Sequence, residues 1–460
     1  MLPVLLAALV LAGIPAQSLE ADRAAPVRHV VLVLLDDVGI DKVGAYGVHP
    51  TAGPTPVLDA MAAEGVLFRA AYAHPVCSPT RCSILTGRQP GQTGIGKEMP
   101  LGSTATAPTN LFAPGDDLDW LPRRLSRRGL LCDAVGKWHL THELVPDFHL
   151  HPALVGFRRH AGHLGNLGNW TDVEDQGYWS WKKNSATAQG WFETTVTTYA
   201  TLDTAWEAWL SLVNAAAAGR RSFTWLAFNA AHKPWDQPPP ELFTGDFSSA
   251  PAQQEAVLEA CDTLLGQLRS AWAAANPDEA ARTLWIVMGD NGTHEDAVEP
   301  PWPKSQSKGS LMEGGIHVPL IATGPGVSQG AECSAPVHAA DLWATVLDVF
   351  GYAPTGNEPT SLSFAGAFAD PAGFQGRGWV YSRIHEPNGF GPYLSNLRVA
   401  IRADGWKLRI NDFQGEPTAY HLKYLPDDPF ELFDLYPPST PEAQAAFDEL
   451  LLAIAQSDAP

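Results

Sequence analysis

Short, unbroken apolar runs alternate along the first three quarters of the chain with segments of helical periodicity. HVVLVLL (29–35) is a continuous β-branched and leucine run, the pattern of a strand buried on both faces. LLCDAV (130–135), FTWLAF (223–228), TLWIVM (283–288) and VPLIAT (318–323) share that texture. Helical signals fall between them, at 56–64 (Pro56 near the start, Gly65 past the end), at 118–128 and in the Trp- and Ala-rich stretch 201–218. From 252 to 275, Val257, Leu258, Cys261, Leu264, Leu265, Leu268 and Trp272 follow i, i+3, i+4, i+7 spacing, an amphipathic helix. Strands separated by helices require crossovers. The pattern therefore predicts an α/β fold, with a large, mostly parallel sheet flanked by helices on both faces.

Past residue 353 the texture changes. Gly, Pro and polar residues dominate 353–377, followed by the short alternating stretches WVYSRI (379–384), LRVAIR (397–402) and WKLRIN (406–411). The last two flank Ala403-Asp404-Gly405, a hairpin turn signal. A smaller C-terminal antiparallel α+β domain is expected there, closed by a helix near 441–456. There is no internal repeat. The segment GNWTDVEDQGYWSWKKN, with Trp170, Trp179 and Trp181, reads as a β-hairpin insertion packing its own aromatics, or alternatively as an aromatic platform for a sugar or aryl group. Asn169-Trp170-Thr171 within it is formally a glycosylation sequon.

Of the 460 residues, 45% are apolar and 17% charged, enough apolar material for a large core. Acidic residues outnumber basic ones 50 to 30, for a net charge of −20. That balance argues against nucleic acid and anionic membranes as partners, and leaves room for a local basic pocket. MLPVLLAALVLAGIPAQS opens with about 14 mostly apolar residues, too few for a bilayer span of ~20. It fits a signal peptide over 1–18, cleaved near Ala16-Gln17-Ser18 despite lacking an early Lys or Arg, and predicts a secreted or periplasmic protein. Five scattered cysteines (Cys77, Cys82, Cys132, Cys261, Cys333) form neither a disulfide framework nor a zinc pattern.

Polar clusters follow four of the expected strands, where open α/β sheets place their ligands. They are Asp36-Asp37, Gly136-Lys137-Trp138-His139, Asn229-Ala-Ala-His232 and Gly289-Asp290-Asn291-Gly292. Turns favour Gly, Asn and Asp, but have no need of two His and a Lys. Asp36, Asp37, Asp290 and Asn291 offer oxygen donors suited to Ca²⁺ or Mg²⁺. Arg81, Lys137, His139, His232 and Lys308 supply hydrogen-bond donors and proton carriers. A metal ringed by cations stabilises a tetrahedral oxyanion ester such as sulfate or phosphate. Cys77 stands just before an expected helix start, with Pro79 near its first position, Ser78 as a candidate cap and Arg81 close by. A low-pKa thiolate nucleophile is one reading. Attack by that thiolate on a sulfate ester, however, would leave a stable thiosulfate with no internal route to release.

Cys77-Ser78-Pro79-Thr80-Arg81, continuing to Leu85-Thr86-Gly87-Arg88, resembles the modification signature of the type I sulfatases, of the alkaline-phosphatase-like superfamily. The similarity extends through Leu35-Asp-Asp37, Gly136-Lys-Trp-His139, Gly289-Asp-Asn-Gly292, Lys308, Glu313-Gly-Gly315…Val318-Pro319 and Arg402-Ala-Asp-Gly-Trp-Lys407, covering roughly residues 28–438. It divides the chain into a catalytic domain over 28–352 and a smaller C-terminal domain over 353–460.

The resemblance implies a sulfatase acting on a small-molecule or carbohydrate sulfate ester. It also implies that a maturation enzyme oxidises Cys77 to Cα-formylglycine. Asp36, Asp37, Asp290 and Asn291 would hold Ca²⁺ (or Mg²⁺) together with the hydrated aldehyde at Cys77, and Arg81 and Lys137 would orient that diol. One hydroxyl attacks sulfur; the second expels sulfate, with His139 as base. His232 and Lys308 would bind sulfate oxygens and protonate the leaving group. The alternatives are a phosphonate monoester or phosphodiester hydrolase on the same site, and a non-catalytic sulfated-glycan-binding relative.

Three positions depart from the pattern: His317 where many relatives have Arg, Gly156-Phe-Arg-Arg159 in place of Gly-Phe-Asp, and Thr141 where Gly is usual. His49, His74 and His294 read as structural or surface residues, and Cys82 as helix packing.

Overall fold

The computed structural model describes residues 26–50, 52–99, 118–143, 145, 147–168, 176–352 and 361–458. The expected signal peptide, Trp170 with its sequon, residues 100–117 and residues 353–360 lie outside the described residues.

Ten strands form one sheet. In chain order the strands of the molecule begin with β1 (His29–Leu35), β2 (Val66–Phe68), β3 (Ala71–Tyr72), β4 (Leu131–Gly136), β5 (Arg159–Gly162) and β6 (Trp181–Thr187). There follow β7 (Gly190–Val196), β8 (Ser222–Ala227), β9 (Thr283–Gly289), β10 (Leu320–Thr323), β11 (Ala331–Cys333) and β12 (Val337–His338). The large sheet has the order β11-β2-β10-β9-β1-β8-β4-β5-β6-β7, and β3 pairs separately with β12. Its centre, β9-β1-β8-β4-β5, is parallel throughout. Antiparallel pairs appear only toward its margins, where β10 meets β9 and β2, and where β5, β6 and β7 meander. The VPLIAT run therefore makes a shorter, antiparallel strand. The tryptophan-rich segment does form a hairpin, β6–β7, with Trp181 buried and Trp191 stacked on His149 at 3.6 Å.

Every residue of β1 is buried, because the sheet is covered on both sides. Val30, Leu32 and Leu34 face a layer containing Cys82, Ile84 and Leu85 of the helix Cys77–Thr86 and Leu342 and Trp343 of the helix Asp341–Val349. Val31, Val33 and Leu35 face Leu58 and Met61 of the helix Pro56–Glu64, Leu212 of Ala200–Ala217 and Val257 and Leu264 of Ala250–Ala275. Each such Val or Leu, fully buried, contributes about 1.5–3 kcal/mol. Cys82 serves packing, as expected, and none of the five cysteines forms a disulfide.

The C-terminal region is a four-stranded antiparallel sheet of β13 (Trp379–Glu386), β14 (Ser395–Arg402), β15 (Trp406–Phe413) and β16 (Ala419–Tyr424). The Ala403-Asp404-Gly405 turn joins β14 to β15, and the helix Pro441–Asp458 buries Ala446, Leu450 and Ile454 against one face. Val380, Val399 and Ile401 press the other face onto Tyr72, Leu311 and Ile316 of the main body. Among the described residues, no helix is long and apolar enough to cross a membrane.

Candidate active site

The parallel register brings the polar clusters to one place. Leu35 of β1 stands opposite Gly289 of β9, and Gly136 of β4 opposite Ala227 of β8. The residues that follow those positions consequently leave the sheet together at its carboxyl edge. Gly136 turns the chain toward Lys137 with φ +84°, where a Cβ would lie 1.9 Å from the Ala227 carbonyl oxygen, so no other residue fits.

Cys77 is the first residue of its helix, preceded by the extended Val76. Its Sγ lies 3.6 Å from Asp36 Oδ1 and 3.6 Å from Lys137 Nζ. Ser78 is not the cap: its hydroxyl donates to the His139 carbonyl at 2.8 Å and accepts the Met99 N–H at 3.1 Å, tying the helix to the β4 loop. Arg81, one turn on, donates from Nε and Nη2 to Asp290 Oδ2 at 2.9 and 2.7 Å and from Nη1 to the Lys137 carbonyl at 3.0 Å. Lys137 Nζ also donates to Asp36.

Asp37 has a left-handed backbone, φ +59°, a conformation that costs a non-glycine residue about 1–3 kcal/mol. Its surroundings hold it there. Its N–H donates to Asp290 Oδ1 at 3.2 Å, and its carbonyl accepts from Gln254 Nε2 at 2.8 Å. Its carboxylate accepts from Asn291 Nδ2 at 2.8 Å and from Lys308 Nζ at 2.7 and 2.9 Å, with His232 Nε2 at 3.8 Å. His139, also left-handed at φ +58°, lies within electrostatic range of Arg81, Lys137, His232 and Lys308. Its ring is buried with no hydrogen-bond partner on either nitrogen.

Donor atoms of Asp36, Asp37, Cys77 and His232 lie within 4.8 Å of one another. Beside them Asn291 Oδ1 is buried without a partner, an oxygen the fold leaves available. Carboxylate and amide oxygens of this kind suit a hard divalent cation. His232, expected to meet substrate, thus also borders the cation pocket.

The electrostatics correct one expectation. Burial pushes the Cys77 thiol far above its ordinary range, and the nearby Lys137 and Lys308 charges only partly oppose it. Position 77 as cysteine is a neutral thiol and not a ready thiolate. For Asp37, burial works against ionisation, but Lys308, His232 and Lys137 outweigh it and hold the carboxyl below its usual range. Burial, joined by the Lys137 charge for His139 and the Lys308 charge for His232, pushes both imidazoles below their ordinary range, and for His232 the Asp37 carboxylate opposes that push. Asp36, Asp37, Arg81 and Lys137 have 0% side-chain exposure, whereas His232 has 15% and Lys308 18%. The pocket opens on their side.

All the sequence-selected site residues meet here. The departures do not. Arg158 and Arg159 both bind Asp133, and Arg159 also binds Glu207 at 2.7 Å, so these side chains serve the sheet edge. His317 pairs with Glu313, Thr141 is buried, and His74 hydrogen-bonds Ser83. Sequence reading missed Gln254, whose signal was a lone amide on the buried face of an amphipathic helix, and Tyr178, which shows no sequence signal.

The Sulfatase family model matches residues 28–352. N-acetylgalactosamine-6-sulfatase of Canis lupus familiaris is 31% identical over 354 residues, 74% of this chain and 65% of that protein. The Homo sapiens protein of that name is 30% identical over 76% of this chain and 66% of its own length. The chain thus spans slightly less than two thirds of these relatives. The crystal structure of Ps i-CgsB in complex with k-i-k-neocarrahexaose superimposes with a TM-score of 0.73 at 23% identity, covering 93% of this chain and 92% of the other. The PsFucS1 sulfatase from Pseudoalteromonas sp. does so with 0.72 at 20%, covering 96% and 95%.

Proposed function

The chain belongs to the sulfatase family, and from that premise we propose that it hydrolyses sulfate monoesters to an alcohol or phenol and inorganic sulfate. The observation carrying this reading is the placement of Cys77 Sγ 3.6 Å from both a buried carboxylate and a buried ammonium, at the floor of a pocket opening past His232 and Lys308. Oxidation of Cys77 to Cα-formylglycine supplies a hydrated aldehyde, with one hydroxyl to attack and another to release the product. Asp36, Asp37, Asp290 and Asn291, with position 77, would hold Ca²⁺, which supplies positive charge for the ester oxygens.

The chain's own residues do the rest. Arg81 and Lys137, anchored on Asp290 and Asp36, fix the side chain at position 77 against the carboxylates. Three cations (Arg81, Lys137, Lys308) balance three carboxylates (Asp36, Asp37, Asp290), so a divalent ion would leave an excess positive charge for an anionic ester. Lys308 and His232, at the open side, bind sulfate oxygens. As the S–O bond breaks with its electron pair on the leaving oxygen, the imidazolium form of His232, taken up beside Asp37, gives that oxygen its Nε2 proton and keeps the Nδ1 proton on the Lys233 carbonyl. His139, with neither ring nitrogen engaged, accepts the proton that position 77 loses when sulfate departs.

The test compares kcat/KM for matched aryl sulfate and aryl phosphonate monoesters on one preparation. The peptide mass at residue 77 and the bound metal are measured beforehand. A large preference for sulfate with about one Ca²⁺ or Mg²⁺ per chain is expected; a preference for phosphonate overturns the sulfatase activity and keeps the fold. The N-acetylgalactosamine-6-sulfatase relatives make sulfated hexosamines the first carbohydrate panel. Export of the mature chain is part of the proposal, tested by N-terminal sequencing of the secreted protein.

A further inference from the structure

His232 sits on the loop after β8, and that loop is held from outside by the entrance to the β6–β7 hairpin. Tyr178, 0% exposed, places its hydroxyl 2.7 Å from the Asn229 carbonyl oxygen and 2.9 Å from that of His232. A phenol has one proton, so the two carbonyls share it. The Tyr178 N–H donates to Asp236 Oδ2 at 2.7 Å, and the Trp179 indole N–H donates to the Gln237 carbonyl at 3.0 Å. From within the loop, Trp235 donates to the Ala231 carbonyl at 2.7 Å.

The approach is close enough to need glycine. A Cβ on Gly177, whose φ is +127°, would lie 2.1 Å from Asp236 Oδ2. The ring of His232 has one further tether, its Nδ1, 2.5 Å from the Lys233 carbonyl oxygen. The imidazole is thereby oriented with Nε2 toward Asp37 and the pocket.

We propose that Tyr178 is a positioning residue, whose hydroxyl, held against the Asn229 and His232 carbonyls, sets the His232 imidazole at the leaving-oxygen side of the pocket. This rests on the role given to His232 above. Displacement of a proton donor matters most when the leaving oxygen is a poor leaving group that needs the proton; a nitrophenolate leaves without it. Substrate binding, spread over Lys308 and the cation site, depends on the tether far less.

The experiment measures kcat and KM for a series of aryl sulfates of graded leaving-group basicity, in the wild type, Tyr178→Phe, His232→Ala and the double variant. Tyr178→Phe should lower kcat about 10–100-fold for the most basic leaving groups, with near-wild-type kcat for nitrophenyl sulfate and KM within about threefold. In the His232→Ala background the same change should have almost no further effect. Equal losses across the series, or losses that multiply in the double variant, overturn the proposal while His232 keeps its role. Wild-type kcat for His232→Ala on every substrate overturns the role of His232, and the positioning proposal with it.

Should Tyr178→Phe not fold, Asp236→Ala and Asp236→Asn decide. The asparagine oxygen can still accept the Tyr178 N–H, so Asn should retain activity where Ala shows the leaving-group-selective loss. Identical behaviour of the two overturns the proposal.

Discussion

Two of the buried charge clusters in this molecule invite comparison, one at the carboxyl edge of the large sheet and one where the C-terminal sheet meets the main body. In the second, Lys407 Nζ sits 2.9 Å from Glu313 Oε1 and 3.0 Å from Glu431 Oε1. Glu431 accepts the Glu313 N–H at 2.6 Å, while His317 Nδ1 at 3.0 Å and the Tyr72 hydroxyl at 3.3 Å complete Glu313 Oε2. These named charges satisfy one another. At the sheet edge the ion pairs are as dry, yet both His139 ring nitrogens and Asn291 Oδ1 have no partner. Burial of charge therefore does not by itself mark a site. What sets the sheet edge apart is that its unmatched atoms, on His139 and Asn291, stand beside carboxylates able to hold a cation and cations able to hold an anion.

The contrast is broken most directly by removing the nucleophile proposed at position 77. Cys77→Ala or Cys77→Ser should abolish turnover, by more than about a thousandfold in kcat/KM. The melting temperature should stay within a few degrees of wild type. Most of the activity surviving in either variant removes position 77 from the mechanism.

At the domain junction the opposite pattern is expected. Lys407→Met takes from Glu313 and Glu431 the ammonium they share, at about 3–5 kcal/mol in a urea unfolding curve. The kcat/KM of the folded fraction should change less than about twofold. A stability loss below about 1 kcal/mol would show that this cluster, too, is incomplete.

Lys308→Ala sharpens the comparison from the catalytic side. Loss of one charge from the pocket mouth should lower kcat/KM about 10²–10³-fold, equivalent to about 2.7–4 kcal/mol. An unchanged kcat/KM would confine Lys308 to neutralising Asp37.

Away from both clusters, buried histidines predict a milder acid sensitivity. Burial, then the Arg383 and His385 charges, push His74 down from 6.5 to about 3, and its Nδ1 accepts the Arg383 N–H. The folded ring is neutral, whereas the unfolded ring takes up a proton below about pH 6.5. Its contribution is thus present above that pH and lost as pH falls toward about 3. Between pH 7 and pH 5 this amounts to about 2 kcal/mol at most, and His74→Gln should flatten the measured stability–pH curve. A slope identical to wild type would mean that other groups carry the acid response.

Legibility followed the range of each interaction. The strands at 29–35, 223–228 and 283–288 were readable because a strand covered on both faces must be apolar at every position. The helix 250–275 was readable because one face repeats every turn. VPLIAT had the same texture as its neighbours, so composition alone concealed that it runs antiparallel to β9. Ser78 had the identity of a cap and became instead the bolt between the Cys77 helix and the β4 loop. Arg158 and Arg159 stood out as a departure from the family pattern, and the structure spends them on Asp133 and Glu207.

The chain's own order of residues determined which side chains are present for chemistry: four polar clusters behind four apolar runs, and a cysteine in a stretch that resembles a modification signature. Those are local facts, carried by residues a few positions apart. Only the tertiary structure decided that the clusters share one pocket, since their meeting depends on the parallel register of β9, β1, β8 and β4. It alone assigned Gln254 and Tyr178 to the support of Asp37 and His232, across 217 positions in the first case and up to 54 in the second. It also decided which buried charges were answered and which were left open. Partnership is a property of distance in space, and no local pattern encodes it.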